Sequence, residues 1–162
     1  MKYTYTILLL SIFTILSAES CKKENNDSFY FKCKVNGQEY YPDRCANCEV
    51  AKLLGDSTII INGNRGFESI LIGVIKLDHV PLINTNYVLN QRPEQKASYK
   101  NSTTTTDVYF TDSTRTGILN ITEIDKTNKI IKGDFYFKAY NAFRNNEINI
   151  TDGSFRLNYT TY

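Results

Sequence analysis

The amino-acid sequence predicts an all-β domain of about nine to ten strands, arranged as an antiparallel β-sandwich or a flattened barrel. Apolar and polar residues alternate with a period of two along most of the chain, whereas an amphipathic helix would repeat about every 3.6 residues. Turn-forming residues interrupt this alternation about every eight to twelve positions. The chain of 162 residues contains 12 Tyr and 9 Phe but only 3 Pro, a composition typical of strands.

The first predicted strand covers residues 29–35. Asn36-Gly37 has the sequence of a tight hairpin turn, and it leads into a second strand at residues 38–41. Residues 43–54 fit either a helix that ends at Gly55 or a strand, and we favour the strand.

The next predicted pair of strands covers residues 58–62 and 68–77, joined by a turn at 63–66. Residues 68–77 are apolar on both faces, which predicts a central strand that is covered on both sides and contributes most to the core. A polar hairpin turn is predicted at residues 125–129. Further strands are predicted at residues 87–89, 107–111, 117–124, 130–140, 147–151 and 153–160.

The N-terminus has the pattern of an export signal. Lys2 precedes an apolar run at residues 7–16, and mostly small residues follow up to Cys21. This order is typical of a secretory signal peptide, and the apolar run is too short to span a bilayer. The cysteine at the cleavage point predicts a lipoprotein signal, in which Cys21 becomes the lipid-bearing N-terminus. The alternative is an ordinary signal peptidase that cuts after Ala18 or Ser20.

Cleavage before the cysteine divides the chain into three parts. These are a signal peptide at residues 1–20, a polar tether at 21–28 and a single all-β domain at 29–162. Acyl chains on Cys21 would hold the protein on a membrane essentially permanently. We therefore expect a protein that is lipid-anchored at the outer membrane, on its periplasmic face or at the cell surface.

Short motifs follow one another in a characteristic order along this domain. Val35-Asn36-Gly37 lies near its start, and Gly133-Asp134-Phe135 and Gly153-Ser154-Phe155 lie near its end. In this order the chain resembles a family of uncharacterised Bacteroidota lipoproteins that share a "VNG" hairpin and two "G-x-F" strands. The resemblance implies an all-β, membrane-anchored exported domain and supplies no site residues. In each G-x-F motif we expect Gly to open a strand and Phe to enter the core.

The charge balance argues against one class of partner. The formal net charge is +2, from 19 Lys and Arg against 17 Asp and Glu, and the basic residues form no block. Proteins that bind nucleic acid carry such blocks or patches. We therefore expect no nucleic-acid partner.

Three cysteines follow the signal, and two of them are expected to form a disulfide in an exported chain. A bond from Cys33 to Cys45 or Cys48 would fasten the first hairpin to the following loop. The C-x-x-C spacing of Cys45 and Cys48 also occurs in redox enzymes and zinc sites. Such a zinc site needs further ligands, and His79 is the only histidine in the chain. Redox thiols and a metal site remain the alternatives, and we expect no metal and no cofactor.

Four carboxylates lie near the ends of predicted strands, and they are the candidates for catalysis. They are Glu123, Asp125, Asp134 and Asp152. Two carboxylates about 5 to 9 Å apart could hydrolyse a glycoside. Because Asp is common at turns for local reasons, and nothing in the sequence brings these residues together, we expect no enzyme. A small glycosidase-like hydrolase is the alternative.

The sequence favours a non-catalytic binding or structural module with a protein or glycan partner. Tyr30, Tyr109, Tyr136 and Tyr140 are predicted to face outward and could form an aromatic platform for that partner. Tyrosine also suits half-buried sheet faces and the chain lacks Trp, so we favour ordinary sheet positions for them. A calycin-like barrel around a small ligand is a further alternative, although the many Phe and Ile predict a filled interior.

Overall fold

A computed structural model describes residues 29–55, 57–75, 84–90 and 95–161 of the chain. These residues form one continuous sheet of 11 strands, which confirms the all-β prediction. Within these ranges the helical structure consists of the short 3-10 turn Thr105–Asp107.

The strands are numbered in chain order. The first six are β1 (Tyr30–Val35), β2 (Gln38–Tyr40), β3 (Glu49–Leu54), β4 (Thr58–Arg65), β5 (Glu68–Ile75) and β6 (Thr85–Leu89). The other five are β7 (Gln95–Lys100), β8 (Val108–Phe110), β9 (Gly117–Asp125), β10 (Ile130–Asn141) and β11 (Asn146–Thr161).

Strand pairing divides the sheet into two layers around one core. The first sheet contains β2, β1, β11, β10, β9 and β6 in that order, and the second sheet contains β3, β4, β5, β7 and β8. The layers are joined at both corners, because the end of β11 pairs with β3 and the end of β10 pairs with β8. The result is a closed circuit of strands that combines the two predicted architectures, a sandwich and a flattened barrel.

One pairing departs from the predicted antiparallel arrangement. Strand β3 runs parallel to the end of β11, with Lys52 opposite Thr160. Parallel neighbours need a connection that crosses over rather than a tight hairpin. Residues 41–48 provide the entry to β3, because they carry the chain from β2 in the first sheet to β3 in the second.

Several strand predictions differ from the structure. The strand predicted at residues 43–54 covers only Glu49–Leu54, and the turn predicted at 63–66 is limited to Gly66-Phe67 because β4 continues to Arg65. The sequence pattern does not predict β7, because only Ala97 and Tyr99 of this strand are buried and its other residues are polar. The predicted strands 147–151 and 153–160 are one strand, β11. Asp152-Gly153 resembles a turn but forms a β-bulge, in which Asp152 adopts a φ of 52° and the chain continues in the same sheet.

The two G-x-F motifs pack against each other in the core. Gly133 of β10 lies opposite Phe155 of β11, and Phe135 lies opposite Gly153. A Cβ atom at Gly133 would approach the Phe155 ring to 2.7 Å, and one at Gly153 would approach the Phe135 ring to 2.6 Å. Both phenylalanines are buried, as predicted, but the prediction that glycine opens each strand is wrong. Each glycine lies inside its strand. The phenylalanine ring on the opposite strand occupies the space that a side chain would need, so the position requires glycine.

Strand β5 contributes to the core on one face only. Ile70, Ile72 and Val74 are fully buried, as predicted. On the other face Leu71 and Ile75 remain 41% and 42% exposed. The prediction that this strand is covered on both sides is therefore wrong, since no described element packs on the outer face of the second sheet.

Polar side chains occupy one end of the core. The Tyr40 hydroxyl donates a hydrogen bond to the carbonyl of Gly63 at 2.9 Å, and the Tyr99 hydroxyl donates to Oε1 of Glu68 at 2.8 Å. Glu68 forms an ion pair with Arg65, whose guanidinium lies 4.4 Å from the centre of the Tyr40 ring. Burial, reinforced by the Glu68 carboxylate, raises the pKa of both tyrosines. These contacts leave the buried hydroxyls hydrogen-bonded, as buried polar groups require.

Candidate functional site

A polar groove of about 660 Å³ crosses the outer face of the first sheet. It lies in the middle of the sheet, where β1, β11, β10, β9 and β6 run side by side. Its wall and floor come from strands rather than loops, which gives the site a rigid base. The groove is lined by Lys32, Asn86, Ile118, Asn120, Asp134, Phe135, Tyr136, Asp152, Gly153 and Ser154.

Five of the lining residues form one row across the strands, which we call the polar row. Cross-strand register places them in the order Lys32, Ser154, Asp134, Asn120 and Asn86. Residues directly opposite each other in neighbouring strands share a face of the sheet. With strands about 4.8 Å apart, the row extends for about 19 Å. It therefore offers a line of amide, hydroxyl, ammonium and carboxylate groups to solvent.

The β-bulge in β11 adds a second carboxylate to this groove. Between Ile150 and Gly153, both buried, the bulge places two successive residues where regular alternation would allow one. Asp152 is thereby exposed on the groove side, where its Oδ2 atom lies 3.0 Å from Nζ of Lys34. This hydrogen bond and ion pair raise the pKa of Lys34. The groove therefore has an ion pair between Asp152 and Lys34 at its border.

An aromatic side chain borders the polar row. Tyr136 of β10 is 55% exposed and lies opposite Ile118 of β9. Ile118 in turn lies opposite Val88 of the edge strand β6, so the row beside the polar groups is apolar. A flat, exposed ring next to hydrogen-bonding groups can stack on an apolar face of a ligand while those groups bind its polar edge.

The structure brings two of the four predicted carboxylates together. Asp134 and Asp152 both line the groove. Glu123 instead pairs with Lys132 at 2.7 Å, outside it. Asp125 accepts hydrogen bonds from the backbone of the β9–β10 turn, and these bonds lower the pKa of Asp125. Its role is local turn formation.

The four tyrosines do not assemble into an aromatic platform, the arrangement that we considered but did not favour. Tyr136 alone of the four tyrosines lines the groove. Tyr109 is buried and packs beside Tyr99, so the prediction that it faces outward is wrong. Tyr140 stacks with Arg115 at 4.2 Å and donates a hydrogen bond to Asn145. Tyr30 lies at the start of β1, with the Lys32 ammonium near its ring.

The disulfide in the structure differs from the one that we considered, which joined Cys33 to Cys45 or Cys48. The structure joins Cys45 to Cys48, with their Cα atoms 5.2 Å apart, and leaves Cys33 a free, buried thiol. Cys33 points into the core of the first sheet, whereas the disulfide closes a loop before β3. Burial raises the pKa of the Cys33 thiol to about 12. A buried, protonated thiol is unreactive.

Some predicted features lie outside the described residues. They are the signal peptide at residues 1–20, the lipidation site Cys21, the tether at 21–28 and His79. Within the described ranges, no group of three or more His, Cys, Asp or Glu side chains is arranged to hold a metal ion. No helix in the same ranges is long and apolar enough to cross a membrane.

The polar row contains residues that the sequence does not single out. Lys32, Asn86, Asn120 and Ser154 each read as an ordinary outward residue of an alternating strand. Their common feature is a cross-strand register that depends on bulges in β9 and β11. Chemically, the groove offers hydrogen bonds, ionic contacts and one stacking surface, which are the groups that bind a polyhydroxylated ligand.

The family to which the chain belongs is identified by its sequence. Residues 27–157, which include almost all the described strands, match a family model described as a domain of unknown function, DUF6252. Neither a curated protein nor a solved structure matches the chain. Because the match extends from before β1 to the later part of β11, the chain belongs to the DUF6252 family of domains of unknown function.

Proposed function

We propose that this protein is a lipid-anchored module of the bacterial envelope that binds a glycan in the polar groove without catalysing a reaction. The observation that carries the proposal is the polar row, which crosses five strands beside the exposed ring of Tyr136. A glycan presents alternating hydroxyl edges and apolar ring faces. The row matches the hydroxyls, and Tyr136 matches a ring face.

The length and openness of the groove favour a chain over a small compact ligand. The polar row is about 19 Å long at the usual strand spacing. Its residues project from one sheet face, so a linear oligosaccharide can contact several of them in succession. We expect affinity to rise with oligosaccharide length until the chain spans the row.

The state of the two carboxylates supports binding rather than hydrolysis. A glycosidase holds its two carboxyl groups on either side of the scissile bond, in a site that closes around the substrate and excludes water. Asp152 is instead ion-paired with Lys34, and its side chain is two-thirds exposed at 66%. Asp134 is also exposed. Both residues suit hydrogen bonding to hydroxyl groups.

The proposed anchor and location come from the N-terminal sequence. Lys2, the apolar run at residues 7–16 and Cys21 form the lipoprotein signal, and the domain resembles a family of Bacteroidota lipoproteins. Removal of residues 1–20 would leave a polar tether before β1. We therefore propose that the protein is held at the outer membrane, on the periplasmic face or the cell surface.

Binding of defined oligosaccharides tests the proposed groove. The purified protein would be titrated with a panel of α- and β-linked glucans, mannans and peptidoglycan fragments from disaccharides to hexasaccharides. Tyr136→Ala should lower the affinity for a bound probe about ten-fold or more, as loss of an aromatic anchor does. Tyr41→Ala is the matched control, because both tyrosines are 55% exposed but Tyr41 lies outside the groove.

The same titration separates binding from hydrolysis. Shortening of the probe that stops in Asp134→Asn would favour the glycosidase-like alternative. A probe that binds and remains intact supports the proposed module. Binding that is equal in the wild type and in Tyr136→Ala would show that the groove is not the glycan site.

A further inference from the structure

The outer face of the second sheet carries exposed apolar side chains that no described element covers. Leu54, Ile60, Leu71, Ile75 and Phe110 lie together around a trough of about 360 Å³. Gly73 lies among them without a side chain, and the space above it is open. In a sheet with one face in solvent, each strand normally alternates apolar side chains toward the core with polar side chains toward solvent. Strands β3, β4, β5 and β8 break this rule on the same side of the sheet.

Lysines surround this trough, and carboxylates are absent from its lining. The neighbouring part of the same face includes Lys52 and Lys100, and the trough itself includes Lys96. None of the residues that line either region is Asp or Glu. We call the surface formed by these lysines and the five apolar residues the basic apolar face. Its charge is complementary to an anionic surface that also has an apolar interior.

We propose that the basic apolar face docks on the anionic phospholipid surface of the membrane that holds the N-terminal lipid. This inference rests on the proposed lipid anchor. Exposed apolar side chains would enter the boundary between headgroups and acyl chains, and the lysines would contact lipid phosphates. Docking would add a second attachment to the one that the lipid supplies.

The position at which β1 begins is consistent with a bilayer that covers the basic apolar face. Tyr30 at the start of β1 lies opposite Arg156 of β11, and Thr160 on the same strand lines the basic apolar face. The separation along β11 is about 13 Å for four residues of strand. The predicted tether at residues 21–28 can extend by up to about 27 Å. A lipid on Cys21 can therefore enter the same bilayer that contacts this face.

Acetylation of lysines by a membrane-impermeant reagent tests the docking. The intact mass of the full native protein would first be measured. The protein would then be inserted into vesicles of phosphatidylcholine alone or mixed with phosphatidylglycerol. With the anionic lipid, acetylation of Lys96 and Lys100 should slow about five-fold or more, because a docked lysine is shielded from the reagent and the attraction of even one lysine favours the docked state by roughly that factor. Lys32, which lines the polar groove of the first sheet, should be acetylated equally in both vesicles.

Matched variants assign the protection to the apolar side chains. Leu71→Ser and Phe110→Ser remove side chains that are 41% and 51% exposed, so both should fold and both should restore acetylation of Lys96. Val88→Ser is the control, because Val88 is 44% exposed but lies in β6 of the first sheet. Equal acetylation in both vesicles would overturn the docking. Protection that needs no vesicle and rises with protein concentration would also overturn it, because a second copy would then cover the face.

The intact mass separates failure of the anchor from failure of the docking. A lipid-bearing protein whose lysines stay reactive would retain the anchor and refute the docking face. A protein without lipid would refute the anchor, and the same protein would then be floated with phosphatidylglycerol vesicles. Flotation that Phe110→Ser abolishes would support the face, and absence of flotation would overturn it.

Discussion

The packing of single side chains explains the positions of the two G-x-F motifs in the core. The sequence correctly places Phe135 and Phe155 in the core, because an aromatic residue in an alternating strand is normally buried on the apolar face. It does not reveal that each glycine is required by the ring on the opposite strand. That constraint depends on the register of β10 against β11, which no local pattern encodes.

Two glycines with opposite surroundings give a direct test at this scale. Gly133→Ala should lower the free energy of unfolding by about 1–3 kcal/mol, as overpacking does. A Cβ atom there would lie 2.3 Å from the Asn120 carbonyl oxygen. Gly73→Ala should raise the free energy of unfolding by about 0.5–1 kcal/mol, because glycine weakens a strand and the added Cβ meets no atom. Urea unfolding measures both, and equal effects would refute this account of Gly133.

Pairs of neighbouring strands show what the sequence does and does not determine about the elements. Alternation and turn residues predict most strands, including β3, for which a helix is the alternative. They fail at β7, which has only two buried side chains, and at Asp152-Gly153, where a bulge resembles a turn. The polar groove depends on that bulge and on the pairing of distant strands. The residues that line the groove can therefore be identified only once the strand register is known.

The loop before β3 provides a test of the disulfide between Cys45 and Cys48. The loop is docked on the β4–β5 turn, where the Asn64 amide donates to the Cys48 carbonyl at 2.7 Å and the Gly66 amide donates to Asp43 at 2.7 Å. Reduction should lower the free energy of unfolding by about 2 kcal/mol, the amount expected for so short a closed loop. Denaturation with and without reductant measures this change.

A matched variant distinguishes the disulfide from other effects of the reductant. The double variant Cys45→Ser/Cys48→Ser should be less stable to the same extent as the reduced wild type and should not respond to reductant. Cys33 is buried and free, so Cys33→Ala should leave the response to reductant intact. A wild type whose stability is unchanged by reduction would show that the docked loop holds its shape without the bond.

The molecule as a whole has two unlike outer faces around one core. The outer face of the first sheet bears the polar groove, and that of the second sheet bears the basic apolar face. Because the two sheets cover opposite sides of the same core, docking of the second on a membrane would leave the first open to solvent. The glycan site and the membrane site that we propose are therefore compatible in one molecule.

The core between these faces contains buried ionisable groups, and we expect them to make the protein less stable in alkaline solution. Burial raises the pKa of the Cys33 thiol from 9.0 to about 12 and raises the pKa of Tyr40 and Tyr99 above 10.0. Above pH 9 the unfolded chain loses these protons first, so the folded state binds more protons and its stability falls as pH rises. Each group contributes up to about 1.4 kcal/mol per pH unit while only the unfolded form is ionised.

Unfolding in urea at a series of pH values from 8 to 11 measures this dependence. The free energy of unfolding should fall continuously above pH 9, and Cys33→Ala should reduce the slope because one of the three protons is removed. Tyr40→Phe should reduce the slope as well, but it should also lower stability at pH 8 by about 1 kcal/mol, since the hydrogen bond to the Gly63 carbonyl is lost. A slope that neither variant changes would mean that these groups are not shielded from water in the folded protein, and the loss of stability would then have another origin.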